Sequence, residues 1–408
     1  MLRAVRFNPF LQIACAIGAG ALLGTVDPAH AVQMKPLGDL FVGVVRLMVA
    51  PIVFFTVAAS IASLDNLRQF SSIGAKVLVY FEALSALALL AGFAAAALLV
   101  PGAGFHHPPL QDAAVPGAAA VPSLLDALMR ALANSRVLQA MLLALVCGIA
   151  LAGGRGVRLA AWCERLSGWL FRLFSLVLKA APLATFGAIS FAVGKHGLDS
   201  VASLLKLVGT VYVGSACFIL LVLGPIARAS GFRLLRFIAY IRDELMLVAG
   251  TSSSITAMPR LMEKLERAGC PKSVVSIVVP SGYSFNLNGS NIYLAAAIVF
   301  LAQALALPLA PGQLLGILAV AMITSKSASG VAGAAFVALA ATLAAVPEIP
   351  ESSLVFIVGI ERLLKCRPLT NIIGNGVACM AIAAWSGTLD REKLRASVSE
   401  EGAAARRA

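Results

Sequence analysis

Pro280-Ser-Gly-Tyr-Ser-Phe-Asn286-Leu-Asn288-Gly289-Ser290-Asn291 sets a polar, helix-breaking segment between the apolar runs Val274 to Val279 and Tyr293 to Leu305. Neither flank alone reaches the roughly 20 residues that a bilayer crossing needs. The stretch therefore reads as one span broken at membrane depth. Backbone released there is tolerated only where protein or a wet cavity satisfies it, so the break predicts a binding site. The plainer alternative, a surface loop between two short helices, is disfavoured by the length of the flanks.

The rest of the composition agrees with a membrane setting. A chain of 408 residues that is 60% hydrophobic and 12% charged, with a mean hydropathy of +0.92, is too apolar for a soluble protein of its size. It is expected to be an all-α membrane protein in a lipid bilayer. The net charge of +13 lies mostly in loops and at the termini, where basic residues orient a chain rather than bind nucleic acid. No nucleic-acid motif accompanies it. Cys15, Cys147, Cys163, Cys217, Cys270, Cys366 and Cys379 have no metal-ligand spacing and no disulfide framework. His106 and His107 read as a solvated loop pair.

Apolar windows at Phe10 to Val26, Leu40 to Leu64 and Ala75 to Val100 read as spanning helices, with Pro51 able to bend the second. Arg3, Arg6 and Ala29-His30-Ala31 around the first would also suit a signal peptide; the many later spans favour a helix. Pro101 to Pro122 is a linker without Lys or Arg, expected to face away from the cytoplasm. Val137 to Gly153, Leu166 to Val193 and Val201 to Ile226 complete six crossings, with Arg155, Arg158 and Arg165, then Arg228, Arg233, Arg236 and Arg242, on the cytoplasmic side. The amino terminus is then cytoplasmic.

Two segments are too short for this pattern. Leu245 to Pro259, with Thr251-Ser252-Ser253-Ser254 at its tip, enters and leaves on the cytoplasmic side, or else is a loop on that surface. Four hydroxyls beside free backbone N–H groups make a suitable anion cradle. Leu314 to Val346, with Ser325-Lys-Ser-Ala-Ser-Gly-Val331-Ala-Gly333 at its tip, mirrors it from the other side. One re-entrant tip from each side, each followed by a long helix, is the inverted-repeat arrangement of secondary transporters. The last apolar helix, Leu354 to Trp385, carries Glu361, Arg362, Lys365 and Arg367. Charges at such depth face a cavity or a partner by default, although Arg362 and Lys365 could snorkel from a helix end. Arg367 has Asn371 one turn further on the same face. The tail from Arg391 is charged, expected to be cytoplasmic and poorly ordered.

Gly250-Thr-Ser-Ser-Ser254, Met258-Pro-Arg-Leu-Met-Glu-Lys264, Pro280 to Tyr293 and Leu369-Thr-Asn-Ile-Ile-Gly-Asn-Gly376 resemble the dicarboxylate/amino acid:cation symporter family, and most nearly its bacterial aerobic C4-dicarboxylate branch. The resemblance runs from Gln33 to Trp385. It implies a homotrimer in the bacterial inner membrane with both termini cytoplasmic. Each protomer has eight transmembrane helices and two re-entrant helical hairpins in inverted repeats, a glutamate-transporter-like elevator fold. Residues 1–236 are mainly scaffold and trimerisation helices, with the third and sixth spans joining the transport domain; 237–390 form its core and 391–408 the tail. Carried over residue by residue, Ser252, Ser253, Ser254 and Ser290 line the substrate, and Val331 and Gly333 close over it. Arg367 takes the distal carboxylate and Asn371 holds oxygens at the other end. A guanidinium at one end and hydroxyls and N–H groups at the other suit a dianion.

Amino-acid members have an acid about one turn before that arginine, where Leu364 stands here, so the resemblance implies succinate, fumarate or malate rather than aspartate or glutamate. Asn288 replaces the usual aspartate beside Asn286 and Asn375 in the cation region. Ile255 stands where dicarboxylate members tend to have an acid. Gly359 to Arg367 is one residue short, with Glu361 for Asp, and Pro368 follows the arginine, where a proline in a helix costs a hydrogen bond and can bend it. These departures weaken a sodium site and leave Glu361 and Glu82 to carry a proton, each alternatively a structural ion pair. No cofactor is expected beyond the coupling cation, a proton before sodium. Other readings are a sodium-coupled or amino-acid carrier of the same fold, a transport-dead substrate sensor, and, from another class, a membrane serine hydrolase using Ser325 or Ser327 with Lys326 as base.

Overall fold

The computed structural model describes residues 9–63, 71–104, 135–151, 157–307, 311–328, 330–346 and 348–404. His106, His107, Arg155, Ser329 and most of the Pro101 to Pro122 linker lie outside them. From the amino end run α1 (Pro9–Val26), the short α2 (Pro28–Val32), α3 (Lys35–Ser63), α4 (Ser71–Leu99), α5 (Arg136–Leu151), α6 (Val157–Val177), α7 (Ala181–His196) and α8 (Asp199–Phe218). The last continues through a wider turn into α9 (Gly224–Ala229), followed by α10 (Leu234–Tyr240). The carboxyl half comprises α11 (Arg242–Thr251), α12 (Met258–Arg267), α13 (Lys272–Phe285), α14 (Asn288–Ala304), α15 (Pro311–Thr324), α16 (Ala334–Ala345), α17 (Leu354–Val358), α18 (Cys366–Trp385) and α19 (Arg391–Ala404).

Among the described residues, six helical stretches are long and apolar enough to cross a membrane: Pro28–Ala62, Ile73–Leu99, Ala161–Lys195, Asp199–Ala229, Lys272–Ala304 and Cys366–Trp385. Leu11–Val26, Arg136–Ala150, Gly312–Ser327 and Ala334–Ala345 are apolar but shorter. Leu47, Leu98, Leu143, Val146 and Leu221 point outward and are exposed, as expected of a surface solvated by lipid rather than water.

The helices pack in two groups. α3 lies against α5, α6 and α7, and α1 against α7. The other group joins α4 and α8 to α13, α14 and α18. At its centre α14 is buried at every position from Asn288 to Ala302, as a helix apolar all round must be. Glycine makes the approach possible. A Cβ on Gly92 of α4 would lie 2.2 Å from the Ile292 carbonyl oxygen, and one on Gly289 would lie 2.2 Å from that of Arg367.

Three expectations change. The break is shorter than the sequence implied: α13 continues through Pro280 to Phe285, and only Asn286 and Leu287 separate it from α14. Leu354 to Trp385 is not one helix, since α17 ends at Val358 and a single tight turn, Glu361–Leu363, precedes α18. Pro368 therefore sits in the first turn of α18, where its missing N–H has no helical partner to lose, and it does not bend the helix. The tail is ordered into α19. Asp390 caps it by accepting from the Glu392 and Lys393 N–H groups, both at 3.1 Å, and the Ser397 hydroxyl donates to the Arg267 carbonyl at 3.1 Å. The Lys393 N–H holds the Asp390 carboxyl below its usual range, so this cap is complete at neutral pH and is lost only as acid protonates it.

Gly92→Val is expected to destabilise the protein by about 1–3 kcal/mol through overpacking, whereas Gly209→Ala, with nothing within 4 Å of its new Cβ, is expected to be neutral. Melting of the purified proteins in one detergent compares them; equal midpoints would contradict the tight α4–α14 contact.

Candidate functional site

The break in the buried helix is satisfied from α18. Asn371 Oδ1 accepts from the Gly289 N–H at 2.8 Å and from the Ser290 N–H at 3.4 Å. Its Nδ2 donates to Ser290 Oγ at 3.2 Å. One turn on, Asn375 Oδ1 accepts from Asn286 Nδ2 at 3.0 Å. Asn286 Oδ1 and both side-chain polar atoms of Asn288 are buried without a partner among the described residues.

The first hairpin reaches this region through Ser252, held in the left-handed conformation at φ 57°, ψ 24°. That costs a residue with a Cβ roughly 1 kcal/mol. Lys365 donates to its hydroxyl. The second hairpin meets the first at Gly330, whose carbonyl accepts from Ser253 Oγ at 2.9 Å and from the Ile255 N–H at 3.3 Å. A Cβ on Gly330 would come within 2.8 Å of Ser254 Oγ; only glycine lets the tips close this far. Gly333 has φ +84°, and a Cβ there would strike Leu178 at 2.4 Å.

Between the tips, α14 and α18, a water-sized cleft is lined by Ser252, Ser254, Ser290, Val331, Arg367 and Asn371. Six of the eight residues expected around substrate thus meet in one place. Gly333 lines an adjoining cleft with Ser252, Glu361, Arg362, Leu364, Lys365 and Arg367. Ser253 lines neither, its hydroxyl being spent on Gly330.

Arg367 is 9% and Glu361 5% exposed at the side chain, and Arg367 Nη2 donates to Glu361 Oε1 at 2.7 Å. The guanidinium also lies 4.9 Å from the Tyr293 ring centre, a cation–π contact on a face of α14. Arg367 Nη1 and Glu361 Oε2 have no partner among the described residues. A buried charge that loses its only partner is strongly destabilising, so Glu361 and Arg367 must exchange partners rather than merely separate. The carboxylate that Arg367 meets here is the protein's own.

Glu82 is not buried as a proton carrier at depth was expected to be. It is half-exposed, 46% at the side chain, and paired with Lys326 at 2.9 Å, the structural ion pair that was one of its two readings. The same contact removes the hydrolase alternative, because Lys326 reaches α4 while Ser325 and Ser327 donate to the carbonyls of Met322 and Thr324 at 2.8 and 2.6 Å. Tyr293, the Lys365–Ser252 bond and the Lys326 contacts escaped the sequence. A lone lysine inside an apolar hairpin was the available signal for the last.

Comparison with known proteins gives the same direction. The sodium:dicarboxylate symporter family matches residues 10–385. The chain is 47% identical to the C4-dicarboxylate transport protein of Burkholderia pseudomallei over 412 positions, 97% of this chain and 96% of that one. It is 48% identical to that of Burkholderia lata over 409 positions, 96% of this chain and 95% of that one. With a broken helix buried throughout its second half, two hairpin tips meeting over an arginine, and a match along nearly its whole length, the chain belongs to the sodium:dicarboxylate symporter family, whose members are transporters and not enzymes.

Proposed function

We propose that the protein imports C4-dicarboxylates such as succinate, fumarate and malate together with protons. The observation that carries this is the buried Arg367–Glu361 pair under the serine tips. Glu361 occupies one side of the guanidinium as a substrate carboxylate would. Protonating Glu361 would release Arg367 to grip the substrate bidentately, so that the proton alone would leave the arginine unpaired and the substrate alone would meet an arginine already occupied. Around the adjoining cleft stand Arg362, Lys365 and Arg367 against the single acid Glu361. That excess of positive charge favours a dianion. Leu364, 2% exposed, offers nothing to an ammonium group, which argues against amino acids.

Packing supports an elevator arrangement: the third and sixth spans, α4 and α8, join the carboxyl-half core, while α3, α5, α6 and α7 form the other group. In this reading the six long spans plus α1 and α5 give eight, and the hairpins α11–α12 and α15–α16 are re-entrant. The protein would work as a trimer in the inner membrane. A sodium-coupled reading draws on one observation, the unpartnered amide oxygens of Asn286 and Asn288; neutral amides hold sodium less firmly than a carboxylate would.

Labelled succinate is expected to enter proteoliposomes under an inward proton gradient without sodium, blocked by fumarate and not by aspartate. Uptake driven only by sodium would replace the proton assignment, and binding without uptake under either would indicate a sensor. Arg367→Ala is expected to lower substrate affinity at least about thirtyfold, the loss typical of one partner of a buried charge pair. Glu361→Gln is expected to keep binding succinate while its uptake no longer rises with external acidity; an unchanged pH profile would remove Glu361 from the coupling. Leu364→Asp is expected to shift the preference toward aspartate over succinate by about tenfold or more, about 1.4 kcal/mol. Unaltered competition by aspartate would mean that position 364 does not read the substrate.

A further inference from the structure

Lys326 has no part in the mechanism above, yet it is the only charged residue in the second hairpin between Pro311 and Val346. It sits in the tight turn Ser325–Ser327 that follows α15, with its side chain 17% exposed. Its Nζ lies 2.9 Å from Glu82 Oε1 and 3.2 Å from Ser85 Oγ, both on α4. It also donates to the Phe285 carbonyl at 3.3 Å. Phe285 is the last residue of α13, so this carbonyl is one of the free acceptors at the end of the broken half-helix, the end where the helix dipole is negative. Ser85 Oγ donates to the same carbonyl at 3.2 Å.

A carboxylate, a hydroxyl and a helix-terminal carbonyl converging on one point make a hard oxygen set, the kind that binds alkali and alkaline-earth cations. Half-helix carboxyl ends are where broken-helix carriers hold their coupling cations. Here an ammonium on a four-carbon tether fills that point. We infer that Lys326 is a built-in cation: it supplies the positive charge that a free monovalent ion would bring to the end of α13, and it ties the second hairpin to α4 and α13 without one. This deepens the proposed carrier function, since it makes closure of that hairpin independent of sodium.

The consequence is specific. Shortening Lys326 to alanine removes the charge and opens a hole lined by Glu82, Ser85 and the Phe285 carbonyl, whereas methionine removes the charge and fills the hole. The purified full-length proteins would be melted in detergent in sodium chloride and in choline chloride at equal ionic strength. Wild type is expected to melt at the same temperature in both. Lys326→Ala is expected to melt about 2 °C or more higher in sodium, with a saturable dependence on its concentration, as for any ligand that binds only the folded state. Lys326→Met is expected to be indifferent to sodium, and Glu82→Gln added to Lys326→Ala is expected to abolish the response.

Equal melting of Lys326→Ala in both salts overturns the inference, as does a sodium response in wild type that Glu82→Gln removes. Should Lys326→Ala fail to fold in sodium while Lys326→Met folds, packing rather than charge is what Lys326 supplies, and the inference falls. If neither folds even in sodium, a free ion cannot replace the ammonium and it falls again. Melting needs no transport, so a wild type that fails to take up succinate would sink the proposed function and leave this result readable.

Discussion

Two residues, Asn286 and Leu287, interrupt a helix whose second half is buried on every face, and the backbone released there has to be met inside the protein. Asn371 on α18 meets its N–H groups, and Asn375, one turn further, holds the Asn286 side chain. Because those asparagines take the N–H groups of Gly289 and Ser290 and the side chain of Asn286, α18 must lie close along α14. Gly289 permits that by leaving room for the Arg367 carbonyl. The arginine is then brought to the amino end of α14 and against Tyr293. The cleft and the repair of a broken helix are thus one arrangement.

Electrostatics follow from the same placement. A guanidinium at this depth needs an anion, and Glu361 supplies one because the chain turns sharply between α17 and α18 instead of continuing as a helix. A straight helix would put residues six apart on different faces. The turn folds Glu361 back toward Arg367 and leaves Arg362 and Lys365 lining the cleft beside them.

Much of this was legible in the sequence, and what was not has physical causes. The polar interruption in an apolar run marked the break, and the serine and glycine clusters marked both tips by being paired, since Ser and Gly are common in membrane helices and either cluster alone says little. The extent of the break was misjudged because Pro280 lies inside α13, where local rules place a helix end. The turn before α18 was signalled only by the shortened Gly359 to Arg367 stretch and by Pro368, which read as a bend rather than a break; the turn is held by a contact that only the fold supplies, the Tyr212 hydroxyl of α8 on the Leu363 carbonyl at 3.0 Å. The order of α19 was hidden too, because a charged, apolar-poor tail is held at Ser397 by the Arg267 carbonyl, which only the fold brings near, while its local cap Asp390 is a weak signal alone. Ion pairs across long separations, Glu82 with Lys326 above all, are not written in any local pattern.

The seam between the tips has one more implication. Ser253 and the Ile255 N–H close directly onto the Gly330 carbonyl, so the protein can seal itself with its own hydrogen bonds instead of needing cargo to bridge the gap. A carrier that shuts only around its load is confined to exchanging one molecule for another. One whose lips meet on their own is free of that restriction, because it can also be closed while empty.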